Sequence, residues 1–169
     1  GTGRPLEAQW ADYWLERSRW HRAQGDTDQA WSALERAGSA LGKERSFRHH
    51  QLELLRAELL WDRGSLDAAA EVLAALVPAA EADGHAPLMW EARLLRDAVA
   101  AMLGQRVELA RPPDAQLQDN VSLALTTLYW HAAAAEAQGR RGEAQTLRDS
   151  GRALARERGF ADWLARFDA

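Results

Sequence analysis

The chain has 169 residues, 47 % of them apolar, with eight Trp, no cysteine and a formal charge of −4. Its length suits one domain or a short repeat array, and without thiols it can form no disulfides, thiolate metal sites or thiolate nucleophiles. The slightly acidic balance gives no bulk attraction to nucleic acid or an anionic membrane.

The first helix is expected from about Leu6 to Gln24. Trp10, Trp14 and His21 fall on one side and Tyr13 and Trp20 on an adjoining one, a wider apolar arc than a single surface stripe. Without an upstream neighbour, some of those rings face water. Gly25 ends the helix and Asp26 caps the next, with Gln29 completing a capping-box pattern. Ala30, Leu34, Ala37 and Leu41 then form one inward face. After a polar loop, Phe47 to Arg63 carries Leu52, Leu55, Leu59, Leu60 and Trp61. Gly64 closes it, Ser65 caps the fourth helix, and Leu66, Ala69, Leu73, Leu76 and Val77 point inward. Pro78 is expected to end or kink that helix, and Asp83-Gly84-His85 reads as a loop.

Pro87 suits the first turn of a fifth helix reaching Met102 or Leu103. The span from Gly104 to Gln118 is irregular, because Pro112-Pro113 cannot continue a helix; an extended connection or truncated turn is expected there. Asp119 or Asn120 caps a helix from Val121 to Gln138, on which His131 reads as a hydrogen-bonded core or seam histidine. Its partner, Gly142 to about Arg158, shows Ala144, Leu147, Gly151 and Leu154 at helical spacing. Gly159 closes it, and a short helix, Ala161 to Phe167, buries Trp163, Leu164 and Phe167. No stretch alternates like a strand. The class is all-α.

Gly25, Gly64, Gly104 and Gly139 mark the hairpins at spacings of 39, 40 and 35 residues. Around them, Trp14, Ser18, Gly25, Asp26, Ala30, Leu34 and Ala37 form one motif. Ala57, Leu60, Gly64, Ala69 and Leu73 form a second, and Leu128, Ala132, Gly139 and Ala144 a third. These pairs resemble tetratricopeptide repeats. Glu53 and Arg148 depart from that pattern where bulky apolar residues belong, and the third pair keeps only its first helix. The resemblance implies a right-handed solenoid of helical hairpins in a single domain over 1–169. Its pairs lie at about 6–42, 47–83, 87–118 (degenerate) and 119–158, with a C-terminal capping helix over 160–168. Repeats longer than the usual 34 residues or so look most like those in large bacterial ATPase and transcription regulators.

The resemblance further implies a concave groove lined by the first helix of each pair. Carried over, its positions are Asp12, Leu15, Arg19, Arg22, Gln51, Glu58, Trp61, Glu91, Tyr129 and Glu136. The function expected is non-enzymatic: binding a peptide or helix there, as a regulatory part of a larger signalling or transcription regulator. A small-molecule sensor with a pocket around Gly104 to Gln118 is the alternative, and a helical-bundle enzyme comes after both.

Other chemistry finds little footing. Lys43, Arg45, Arg48, His49 and His50 make a basic cluster without a Gly-rich phosphate loop, and read as solvated charge. Arg141, Arg148, Arg152 and Arg156 share a face of the last long helix, but acids interrupt it and nucleic acid is disfavoured. No Glu precedes a His by three residues, as di-metal bundles require. Adjacent His49 and His50 diverge by about 100° on a helix. No serine sits in a nucleophile elbow. Neither metal, cofactor nor catalytic residue is expected. No apolar run approaches the roughly 18 residues of a membrane span, and no leader segment opens the chain, so a cytoplasmic protein is expected. Self-association is open through the first helix, by Trp10 and Trp14. The opening Gly1-Thr2-Gly3 reads as a cut from something longer.

Overall fold

The computed structural model describes residues 4–169, with side chains from residue 7 onward; Gly1-Thr2-Gly3 and the Leu6 side chain lie outside that set. The described residues form nine helices and no strand: α1 (Arg4–Ala23), α2 (Thr27–Leu41), α3 (Phe47–Asp62), α4 (Leu66–Asp83), α5 (Ala86–Met102), α6 (Asp114–Asp119), α7 (Val121–Ala137), α8 (Arg141–Arg158) and α9 (Ala161–Asp168). They pack as sequential pairs, α1 with α2, α3 with α4 and α7 with α8, and α9 packs on α8. The chain divides into two compact units, Gly1–Leu88 and Met89–Ala169.

The four marker glycines do the same thing in each place. Gly25, Gly64, Gly104 and Gly139 have φ between 76° and 81°, the left-handed region that only glycine enters freely. After each, the next N–H returns to the carbonyl five residues back: Asp26 to His21, Ser65 to Leu60, Gln105 to Ala100 and Arg140 to Ala135, at 2.8–3.0 Å. The reversal therefore rests on backbone hydrogen bonds rather than on side chains.

Small residues sit where paired helices cross. Ser18, Ala57 and Ala132 each precede their glycine by seven positions, and Ala30, Ala69 and Ala144 follow by five. All six are at most 2 % exposed. In the first pair Ser18 Oγ also donates to the Ala30 carbonyl at 2.7 Å, so the hydroxyl is satisfied at the contact. Around that crossing Ala11, Leu15, Leu34, Ala37, Leu41, Leu52, Leu55 and Leu59 make the core of the first unit. Asp26 caps α2 as expected, accepting from Gln29 N at 3.3 Å.

Of the two outcomes expected at Pro78, the helix does not end there: Pro78 lies inside α4, which runs on to Asp83. Pro78 removes the bond to the carbonyl four residues back, that of Ala74. Both residues are exposed, so the freed carbonyl lies on the water-facing side.

In the second unit, α5 is followed by the irregular span instead of a long partner helix. Seven residues before Gly104, where the other pairs carry a small residue, stands Asp97, only 5 % exposed. A carboxylate there cannot nest against a helix, and its Oδ2 instead accepts the N–H of Ala110 at 2.7 Å. His131 Nε2, on α7, donates to the carbonyl of the same Ala110 at 2.8 Å. The irregular span is thus pinned at one residue from two helices, and His131 is hydrogen-bonded as expected, half-buried against that span. The short α6 follows it, and Asn120 caps α7, its Oδ1 accepting from Leu123 N at 3.0 Å. At the C-terminal end, Leu125, Ala155 and Phe167 are buried together, with Tyr129, Trp163 and Leu164 packed around them.

Candidate binding surfaces

Residues expected to line a groove are engaged with each other across α1 and α3. The Arg22 guanidinium reaches Asp62 through two hydrogen bonds, at 2.7 and 3.1 Å, and also pairs with Glu58. Near the other end, Arg48 binds Asp12 bidentately, at 2.8 and 3.2 Å, and that carboxylate raises the Arg48 pKa above its ordinary value. Asp12 precedes Arg22 along α1 just as Arg48 precedes Glu58 and Asp62 along α3, so the two helices run side by side in the same direction. Gln51 and Trp61 are half-buried on α3. Arg19 pairs with Glu16 of its own helix. Leu15 is 1 % exposed and belongs to the core beneath this face, out of reach of a ligand.

The remaining three belong to the second unit. Glu91 is half-buried on α5. Tyr129 packs edge-on against Trp163 and Phe167 of α9, at 6.0 and 5.7 Å, with the Arg166 guanidinium 4.4 Å above its ring. Glu136 pairs with Arg148 of α8. Arg148 thus meets an acid at the position where the repeat pattern asks for a bulky apolar residue.

The basic cluster at the start of α3 is dispersed. Arg48 is held by Asp12, Arg45 lies 3.1 Å from the His49 ring, and His50 is buried. Burial, and then the nearby Arg45 charge, lower the His49 pKa.

A different surface of the first unit is open. Trp10 and Trp20 are each 53 % exposed and Tyr13 47 %; Tyr13 lines a cleft of about 200 Å³ between α1 and α2. Tyr13, Trp14, Arg17 and His21 line it from α1, and Ser32 and Arg36 from α2. The rings form a row: Trp10 meets Tyr13 at 5.7 Å, Tyr13 meets Trp14 at 5.0 Å, and Trp20 meets His21 at 5.0 Å. Two guanidiniums stack on this row, Arg36 over Trp14 at 4.6 Å and Arg17 over Trp20 at 5.3 Å. The sequence placed these rings on too wide an arc for all of them to be buried without an upstream neighbour. It gave no sign of Arg36, which reaches them only once α2 has folded back.

Comparison with protein-family models, with curated proteins and with solved structures finds no match. The functional reading therefore rests on the chain's own residues. No helix among the described residues is long and apolar enough to cross a membrane.

Proposed function

We propose that this chain is a non-enzymatic protein-interaction module, built of tetratricopeptide-like hairpins, that binds an acidic, partly apolar peptide or helix. The observation that carries this reading is the half-exposed row Trp10, Tyr13 and Trp20, of which Tyr13 lines the α1–α2 cleft. Exposed Trp, Tyr and Arg grouped round a small concavity are the residue types that dominate binding energy at protein interfaces. Size supports the same reading. Ligand pockets usually measure about 300–1,000 Å³, so a cleft of about 200 Å³ suits one inserted side chain better than a cofactor. Arg17 and Arg36 favour a carboxylate on that side chain. The α1–α3 face is a second surface for the same partner, where the ion pairs of Arg22 and Arg48 fix its relief. A regulatory place within a larger signalling or transcription protein agrees with the length of the repeats.

A displayed random-peptide library, selected on the folded chain, tests the proposal. Enriched peptides should carry Asp or Glu beside an apolar residue, and lose at least tenfold in affinity against Tyr13→Ala/Arg36→Glu, with circular dichroism unchanged. Arg22→Ala/Trp61→Ala reports on the other face. Failure to enrich any sequence, or equal affinity for wild type and both double variants, would overturn the reading.

A further inference from the structure

Folding of the first unit brings His50 against Asp83 and His85, which lie together far along the sequence from it. His50 sits in the first turn of α3 and is 5 % exposed. Asp83 ends α4, where Gly84 adopts φ 69° and the His85 N–H returns to the Ala80 carbonyl at 3.2 Å. That turn lays the His85 ring beside His50, their centroids 5.3 Å apart. His50 Nε2 is 2.6 Å from Asp83 Oδ2, and one ligand atom from each of the three residues lies within 4.8 Å of the others. Phe47 packs edge-on to His85 at 4.8 Å and shields it on one side.

A hydrogen-bonded His–Asp pair needs only one imidazole. The second is unexplained by it, and its Nδ1 is buried without a hydrogen-bond partner, a state that folded proteins avoid. Two imidazoles and a carboxylate are instead the donor set preferred by zinc and its neighbours. Donors around a tetrahedral ion with bonds of about 2.0–2.2 Å stand roughly 3.3 Å apart. The His50–Asp83 pair would open by under about 1 Å and His85 would close by somewhat more. The Asp83 side chain is 49 % exposed at a helix end and is free to adjust. Arg48, two residues before His50 on α3, is held by Asp12.

We propose that His50, Asp83 and His85 bind one divalent transition-metal ion of the zinc class, with a fourth position left to water on the exposed side of Asp83. As the ion enters, the proton between His50 Nε2 and Asp83 Oδ2 is released to water, and both atoms donate lone pairs to the metal. This site is independent of the peptide-binding surface.

Calorimetric titration of the full chain with zinc chloride, together with the visible spectrum of the cobalt(II) form, tests it. One equivalent should bind, cobalt should give the intense bands of a tetrahedral ion, and zinc should raise the melting temperature. His85→Ala and Asp83→Asn should each weaken binding at least tenfold and abolish the thermal shift, whereas His21→Ala and His49→Ala should leave both intact. His50 is buried and its replacement threatens folding, so the two outer ligands carry the test. Absence of stoichiometric binding, or binding that persists in the His85→Ala/Asp83→Asn double variant, would overturn the site.

Discussion

Replacing Gly151 by Ala should destabilise the protein even though it replaces a poor helix former with the best one. Gly151 lies inside α8, facing the Phe167 ring of α9. A Cβ there would stand 2.5 Å from Cε1 and 2.7 Å from Cε2, and nearer still to Cζ. The propensity gain is about 1 kcal/mol, and overpacking a filled site costs about 1–3 kcal/mol. Three ring atoms are struck at once, so the cost falls in the upper half of that range. The net loss should be about 1–2 kcal/mol. Removing the ring reverses the sign: in a Phe167→Ala background, Gly151→Ala should stabilise by about 1 kcal/mol, because only the propensity remains. Urea denaturation of the four proteins closes the cycle, with a coupling of about 2–3 kcal/mol. If Gly151→Ala were stabilising in the wild-type background, or had the same effect in both, the close packing of α9 on α8 would be refuted.

Asp97→Ala should leave the Ala110 N–H without its acceptor and cost about 1–3 kcal/mol, with faster hydrogen exchange at that amide; Asp97→Asn, which keeps an acceptor, should lose less. Asn120→Ala removes the α7 cap and should cost about 1 kcal/mol in a thermal or urea melt. Ser18→Ala should cost about 1 kcal/mol through its lost hydrogen bond, whereas Ser18→Leu should prevent α1 and α2 from closing, read as loss of cooperative unfolding. Arg22→Ala should cost no more than about 1 kcal/mol, since its partners are partly solvated, and the deficit should shrink in high salt.

The hairpins were legible because their signals are local. A glycine with positive φ and a small residue seven positions before it are readable without knowing what packs where. Pro78 left open whether α4 ends, because that depends on which side of α4 meets water, and tertiary packing decides it. Asp97 did not stand out at the broken repeat until its place was compared with those of Ser18, Ala57 and Ala132.

The surface was harder to read than the core. Leu15 was assigned to a groove because register along α1 was carried over from a repeat pattern, and a shift of one position turns a lining residue inward. The partners Arg22–Asp62 and Arg48–Asp12 depend on how neighbouring hairpins stack, which no spacing announces. His85 follows the closing glycine of α4, and its nearness to His50 follows from that turn alone.

The pinning of the irregular span at Ala110 has a practical corollary. One residue holds the connection in place by both its donor and its acceptor, and just before it Arg106 and Glu108 are exposed with Val107 half-buried between them. An affinity tag or a fluorescent reporter spliced there would hang outward from a fixed point and leave the neighbouring helices undisturbed.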